Sequence, residues 1–587
     1  MNTLPSDLRQ AARSLFRRPG FLAVAVLTLA LGIGANSALF SVVHAVLMRP
    51  LPYQDAERLV WITHEVPVFG TETVVGADFL DWREGSRTLS GIAGYDDSAS
   101  VTLTGRERAE RLHGARVSPN FLALLGARPA QGRDFLPEEE RLNAGNTAIL
   151  SHRLWERLFG ARTTIDETPL LTLDGNGFTV VGVLPPDFRF PGNPEIDVLV
   201  PLALDSAVER GRTRMSLLSA VGRLAPGASL EQARAELDAI HRRGEESFRP
   251  SPSSAPPPGG PSNVSPRGST RQFSMAPGSL GLPEMILKVV PLREHLVGDA
   301  RPSLLMLLGA VGFVLLIACA NVANLLLARA TARQREIAVR AALGAGRFRI
   351  ARHLLLESAL LGLMGGACGL ALAALGVRLL VTAVPAELAG GAFRQIPIGI
   401  DGTVLLFTLG LSLATGLLFG LAPAMAASRP DLQAPLKQGG RAGGGSNAAR
   451  RLLVAAEVAL AAVLLIGAGL LFRSFLRVGT VDPGFRPEGV LTAALELDTG
   501  RYAAPASQAG FAQTLAERVR GLPGVEAAGF GDTVPLAGFN MLVGGPRAEG
   551  LPEQEDPLQV AMVVATPGYF EAIGIPMRRG RAFTEED

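Results

Sequence analysis

Residues 320–347 read Ala320-Asn-Val-Ala-Asn-Leu-Leu-Leu-Ala-Arg-Ala-Thr-Ala-Arg-Gln-Arg-Glu-Ile-Ala-Val-Arg-Ala-Ala-Leu-Gly-Ala-Gly-Arg347. An apolar run from Leu304 to Leu327 leads into this stretch and another, Leu354 to Leu380, follows it. Each is long enough to cross a hydrocarbon core of roughly 30 Å, which takes about 20 helical residues. Between the runs, seven arginines (Arg329, Arg333, Arg335, Arg340, Arg347, Arg349, Arg352) face one acid, Glu336. Arginine resists translocation, so so basic a loop between two membrane-length runs stays on the cytoplasmic side.

The remaining topology follows from that loop. Three further apolar runs, Phe21 to Leu47, Val404 to Ala427 and Leu452 to Phe472, have the same length and freedom from charge. Their clustering accounts for a chain that is 48% apolar yet only 6% aromatic. Arg9, Arg13, Arg17 and Arg18 hold the N-terminus inside, and Arg429, Lys437, Arg441, Arg450 and Arg451 do the same for the segment before the fifth run. Residues 50–300, a loop near Pro385 to Ile400 and the chain from 478 onward then lie outside. The first run is too long for a signal-peptide core and is read as retained, despite the small residues of Ala35-Asn-Ser-Ala38. Ahead of it Leu8, Ala11, Ala12, Leu15 and Phe16 share a helical face opposite the arginines, until Pro19-Gly20. This segment is expected to lie along the inner leaflet.

Outside the membrane the pattern is α+β. Leu171 to Leu184 reads as a hairpin, with Asp174-Gly175 and Asn176-Gly177 offering positive φ for a tight turn. Ser229-x-x-Gln232 is a capping box opening a helix through Arg243. Residues 249–281 are dense in Pro, Ser and Gly and read as a disordered insertion, with Asn263-Val-Ser265 a chance sequon. Cys319 and Cys368 fall inside membrane runs and read as small packing residues.

A repeat is also visible. Ser118 to Glu138 and Thr566 to Glu586 align at a constant offset of 448 with six identities in twenty-one. Ala448-Ala-Arg-Arg and the fifth run likewise echo Ala11-Ala-Arg and the first. The chain therefore reads as a duplication whose second copy stops at Asp587. On that logic the natural product has roughly 250 to 290 further residues and about eight membrane helices.

Several chemistries are excluded. A phosphate-binding P-loop needs Gly-Lys-Ser/Thr, and the two lysines, Lys288 and Lys437, sit in no such setting, so ATP is not hydrolysed by that route. The seven histidines show no His-Glu-x-x-His. His64-Glu65 and His152 with Glu156 read as surface pairs, and Glu138, Glu139 and Glu140 as a solvated helix start. No catalytic set, metal site or cofactor is expected. A net charge of +2, with the basic residues gathered inside, gives no support to nucleic-acid binding.

Two groups of residues remain. Asn321, Asn324, Glu357 and Glu457 are polar positions near the inner ends of their runs, where bonding to neighbouring helices weighs more than a role in a solute path. Gly362-x-x-x-Gly366, Gly365-x-x-x-Gly369 and Gly416-x-x-x-Gly420 let helices approach closely. The basic loop is either a topology anchor or a docking helix that receives force from a cytosolic partner.

The loop sequence Arg333-x-Arg-Glu-Ile-Ala-Val-Arg-Ala-Ala-Leu-Gly-Ala-Gly-Arg347, followed by Leu354-Leu-Leu-Glu-Ser and Gly365-Gly366, resembles the signature of FtsX/MacB-type permeases of ABC systems. Arg17-Arg-Pro-Gly-Phe21, Leu31-Gly-Ile-Gly-Ala-Asn-Ser-Ala-Leu-Phe40, Pro186-Asp-Phe-Arg-Phe190 and Val481-Asp-Pro-Gly-Phe485 narrow the resemblance to the duplicated, ADOP-like permeases with MacB-like periplasmic core domains. It implies an α-helical membrane protein with α+β periplasmic domains: one helix, an ectodomain and three helices, then a second copy truncated in its ectodomain. The domains would be a cytoplasmic amphipathic helix (1–20), a first membrane helix (21–47), a periplasmic core domain (48–302), and a permease region (303–427) with its coupling loop (329–353). A cytoplasmic linker (428–451), a fifth membrane helix (452–472) and an incomplete second core domain (478–587) would follow.

The resemblance also implies a role. A separately encoded cytosolic ABC ATPase would dock on the coupling segment, here Arg333, Arg335, Glu336, Arg340, Leu343, Gly344 and Arg347, and its closure would be relayed to the periplasmic domains of a protein in the bacterial inner membrane. A periplasmic adaptor is a further candidate partner, beside the lipid bilayer itself. Asn321, Asn324, Gly362, Gly366, Gly416 and Gly420 are expected to pack helices. The rival expectation is a membrane-anchored sensor or scaffold without transport.

Overall fold

The structure, a computed structural model of the 587-residue chain, describes residues 4–66, 71–98, 100–105, 109–141, 145–160, 165, 170–193, 195–204, 215–248, 272–273, 286–298, 300–332, 347–383, 399–427, 444–495, 497, 502, 505–535, 541–544 and 559–584. They form two units, one from residues 1–50 and 297–481 and one from 51–296 and 482–587.

The first unit is helical. Among the described residues, five helices are long and apolar enough to cross a membrane: Pro19–Met48, Ala300–Ala328, Ala351–Leu379, Gly402–Leu421 and Arg451–Gly479. Each overlays one of the apolar runs. Pro19 begins the first, where its missing N–H costs no hydrogen bond. The preceding helix, Leu4–Phe16, buries Ala11 and Leu15 but leaves Phe16 exposed, so its apolar face is narrower than the pattern suggests. Leu15 joins Leu22, Ala25, Leu29 and Ile33 in a core closed by Leu315, Cys319, Val322 and Leu361. Nothing in the most apolar stretch of the fifth helix is buried.

The second unit is built on a sheet of β1 (Leu59–Val66), β2 (Thr71–Val75), β3 (Leu89–Asp96), β4 (Ser100–Thr104), β5 (Glu110–Val117), β6 (Gln131–Gly132), β7 (Thr147–Leu150), β8 (Leu170–Leu173), β9 (Asn176–Val183), β10 (Val198–Pro201), β11 (Met215–Leu224), β12 (Gln272–Phe273) and β13 (Ile286–Pro291). The order is β10-β7-β9-β8-β4-β5-β3-β11-β2-β1-β13, with β6 on β9 and β12 on β11. The β7–β9 and β10–β5 pairs are parallel and the others antiparallel. The helices Gly76–Gly85 and Leu230–Phe248 cover one end of the sheet. There Phe79, Trp82, Ala233, Leu237 and Ile240 pack on Val60, Ile62 and Val289. The helix His152–Phe159 covers the other end, burying Leu154 and Trp155 against Leu103, Val180 and Val198.

Local signals meet their geometry with two differences. Ser229 and Gln232 exchange the capping-box hydrogen bonds, side chain to backbone N–H in both directions, and the helix they open runs on to Phe248. In the 170–183 hairpin the left-handed residues are Asp174 and Gly175, at φ 50° and 77°. Asn176 and Gly177 instead start β9, because two consecutive positive φ already complete a two-residue turn. The expected disordered insertion lies outside the described residues except for Gln272–Phe273, which pairs with Met215 and Ser216. The linker from 428 to 443 and the outer loop from 384 to 398 lie outside them as well.

Residues 118–132 and 566–580 carry hydrogen bonds at corresponding positions. Phe121 N–H donates to Ser118 O (2.9 Å), Gly126 to Ala123 O (3.1 Å) and Ala127 to Leu122 O (2.9 Å). At the offset of 448, Tyr569 donates to Thr566 O (3.2 Å), Gly574 to Glu571 O (3.1 Å) and Ile575 to Phe570 O (2.9 Å). Gly126 and Gly132 have positive φ, as do Gly574 and Gly580.

Candidate functional site

The polar loop and the helix contacts stand differently. Arg333, Arg335, Glu336, Arg340, Leu343 and Gly344 lie outside the described residues, and Arg347 is placed only as the first residue of the helix Arg347–Ala383. The glycines are all placed. A Cβ on Gly362 or on Gly366 would run into Ser412, through its carbonyl oxygen or its hydroxyl respectively. One on Gly416 would sit 2.7 Å from the Ser358 carbonyl, and one on Gly420 2.7 Å from the Ser358 hydroxyl. The two small-residue motifs thus meet each other, and backbone approaches backbone where any side chain would intervene. Gly365 presses on Leu29, and Gly369 on Ala30 and Gly34, in the first helix.

Polar groups inside the helices are mostly bonded locally. Ser37 and Thr408 bring their hydroxyls to 2.8 Å across two helices, and Ser412 donates to Thr408 O at 2.6 Å. Asn36 donates from Nδ2 to Gly32 O (2.8 Å) and, across to the second membrane helix, to Val311 O (3.0 Å). Sequence reasoning passed over Asn36; the signal was the single amide side chain in the run from Phe21 to Leu47. Asn321 is exposed, Asn324 is half-buried, and Glu357 is buried with the His353 imidazole 3.8 Å away.

In the second unit two histidines distant in sequence, His64 and His241, come together. His64 on β1 is fully buried rather than a surface residue, and His241 on the helix Leu230–Phe248 is also buried. Both converge on Asp78 in the first turn of the helix Gly76–Gly85. His64 Nδ1 is 3.7 Å from Asp78 Oδ2 and His241 Nδ1 is 3.2 Å from Asp78 Oδ1. The two imidazole centroids are 4.5 Å apart, and Trp82 tilts against His64 at 5.0 Å. Trp82 directs its indole N–H to Leu237 O.

The acidic run 138–140 also differs from a solvated helix start. Glu139 is buried and takes a two-pronged hydrogen bond from Arg133 as well as the Leu136 N–H. Burial pushes its carboxyl up, but these donors outweigh burial and hold it below the usual carboxylate range. Glu140 pairs with Arg83. His152 and Glu156 form the expected pair along one helix face at 3.3 Å.

Comparisons place this architecture among known proteins. Residues 22–240 match the MacB-like periplasmic core domain family, and residues 308–432 match the FtsX-like permease C-terminal family. A macrolide export ATP-binding/permease protein MacB from Shewanella sp. (strain ANA-3) is 32% identical over 172 residues, covering 29% of this chain and 24% of that protein. A pyoverdine export ATP-binding/permease protein PvdT from Pseudomonas fluorescens is 24% identical over 376 residues, or 59% of this chain and 48% of that one. The chain thus spans between a quarter and a half of these relatives' length. Among solved structures, the periplasmic region of MacB from Actinobacillus actinomycetemcomitans aligns with 12% identity and a TM-score of 0.26, over 32% of this chain and 86% of that one.

Proposed function

This chain belongs to the FtsX/MacB-type ABC permeases, and from that premise we propose that it relays ATP-driven motion of a separate cytosolic ATPase to domains outside the membrane, for export or envelope remodelling. The observation that carries the reading is the coexistence, in one chain, of a MacB-like core domain and an FtsX-like region, with the basic loop joining the second and third membrane helices. In this reading the nucleotide-binding P-loop, which these 587 residues do not contain, is brought to the basic loop by the ATPase that docks there.

The physical case is one of rigidity. Movement on one side of a bilayer reaches the other only through elements stiff across about 30 Å, which helices are. The chain enters and leaves the core domain by way of the first and second membrane helices, so displacement of those helices acts on the domain from both ends. Close glycine contacts among the first, third and fourth helices make them a unit that moves together rather than a loose set. In this reading the N-terminus is cytoplasmic, the membrane is the bacterial inner membrane, and Arg333, Arg335, Glu336, Arg340 and Arg347 form the face that the ATPase grips. The segment after residue 478 is then the beginning of a second core domain, and the chain does with two copies what a homodimer does with two chains.

The test is affinity purification from native membranes with mass spectrometry of the co-purifying proteins, followed by an ATPase assay. A P-loop ATPase should accompany the wild-type chain and be lost from the double variant Glu336→Ala, Arg340→Ala, while both proteins insert equally. Undiminished co-purification would sink the docking assignment. A complex without any ATPase would favour a membrane-anchored sensor or scaffold.

A further inference from the structure

We propose that His64, Asp78 and His241 form a binding site for a single divalent transition-metal ion of the zinc class, pinning the helices Gly76–Gly85 and Leu230–Phe248 to β1. Each of the three residues comes from a different element, and all three are buried, at 0%, 1% and 5% exposure. One nitrogen or oxygen from each lies within 4.8 Å of the others. A tetrahedral ion with bonds of about 2.0–2.1 Å to nitrogen and oxygen places its ligands about 3.3 Å apart. The separations of 3.2 Å and 3.7 Å between the Nδ1 atoms and the carboxylate oxygens bracket that edge.

The surroundings argue against a plain packing role. A carboxylate at this depth is heavily disfavoured unless it is paired or bound to a metal. Asp78 Oδ2 has no hydrogen-bond donor among the described residues, and Asp78 sits within an apolar core containing Phe79, Leu80, Trp82 and Leu237. The nearby indole N–H is already committed to Leu237 O. Two imidazole nitrogens and one carboxylate oxygen suit zinc by ligand type, and three protein donors leave a fourth position to water. Bound there, the ion would neutralise the buried carboxylate and join two helices to the strand they cover.

The experiment uses the full chain in detergent, stripped with a chelator, re-equilibrated with zinc, desalted and assayed for metal by plasma mass spectrometry. One zinc per chain and a zinc-dependent rise in the thermal midpoint are expected for the wild type. Retained zinc should fall at least tenfold in Asp78→Asn and His241→Gln, and stay unchanged in His295→Gln. X-ray absorption at the zinc edge of the wild type should show imidazole scattering from two ligands, a readout that needs no variant to fold. A folded wild type that retains no zinc overturns the site and leaves a buried histidine–aspartate charge cluster. Zinc retained equally by folded Asp78→Asn and His241→Gln, or an edge spectrum without imidazole, also overturns it, because the ion would then sit elsewhere.

Discussion

Gly34 and Gly369 stand backbone against backbone. A Cβ on Gly34 would lie 2.8 Å from the carbonyl oxygen of Gly369, and a Cβ on Gly369 would lie 3.0 Å from the amide nitrogen of Gly34. The obstacle is main chain on both sides, so no rotamer change can relieve it. Gly369→Val should therefore push the first and third membrane helices apart and destabilise the helical unit by about 1–3 kcal/mol, the usual cost of overpacking. Gly376→Val, on the same helix but with nothing within 4 Å, is the matched control. The thermal midpoint of the detergent-solubilised chain should drop for the first variant and hold for the second. Equal midpoints would mean that this contact does not hold the helices together.

Asn36 offers a polar counterpart to that contact. Its amide reaches Val311 O on the second membrane helix while also bonding Gly32 O on its own. In hydrocarbon a lost interhelical hydrogen bond has few replacements, and measured values run from about 0.6 to 2 kcal/mol. Asn36→Ala should lower the thermal midpoint accordingly, and Asn36→Gln should restore it in part because the longer amide keeps its donor. Scanning fluorimetry of the wild type and the three variants separates this from a volume effect, since Asn36→Leu fills the space yet should not rescue.

How much of this was legible in the sequence depended on whether the deciding information was local. Membrane helices are written in one dimension, as apolar runs whose length matches a bilayer, and all five appear where the runs are. The capping box at Ser229 and the turn at Asp174-Gly175 were legible for the same reason. Asp78, His64 and His241 were not, because nothing in a sequence tells which strand lies beneath which helix until the sheet order is known. Glu139 shows the same limit on a smaller scale. Among three consecutive acids, the one that turns inward is chosen by where Arg133 stands.

Glu236 ties the end of the helix Gly76–Gly85 to the helix Leu230–Phe248. Its carboxylate accepts from Ser86 Oγ (2.9 Å), Arg87 N (3.0 Å) and Thr88 N (2.9 Å), and from the Thr88 hydroxyl. Burial raises the carboxyl, but these donors outweigh it and hold Glu236 below its ordinary value. A depressed value stabilises the fold above the unfolded-state pKa of about 4.3, and that contribution is lost as pH falls through the folded value. Glu236→Ala should cost about 1–2 kcal/mol at neutral pH, because two backbone N–H groups lose their acceptor. Thermal melts from pH 7 downward should show the gap between wild type and variant closing below about pH 4. A gap that stays constant with pH would contradict the charged-brace assignment.

Asp97 works in the opposite sense. Burial, with the neighbouring Asp96 charge adding to it, raises its carboxyl to about 6, although a hydrogen bond from its own backbone pulls the other way. Asp96 itself faces the Arg116 guanidinium at 3.6 Å, and Asp97 Oδ2 would stand 3.3 Å from a Cβ on Gly192, a residue at φ 92°. A folded value above the unfolded one of about 3.9 means that Asp97 favours the fold only while protonated. Its contribution is fully present below pH 4 or so and is lost as pH rises through about 6, so the charged form works against the fold at neutral pH. Asp97→Asn should therefore stabilise the protein at pH 7.5, by about 1–2 kcal/mol once solvent screening of this half-buried group is allowed for. At pH 4 the variant and the wild type should melt together, because both then carry a neutral side chain. Melts of the two proteins at several pH values test this directly. A stabilisation that persists unchanged at pH 4 would assign the effect to packing against Gly192 rather than to the charge.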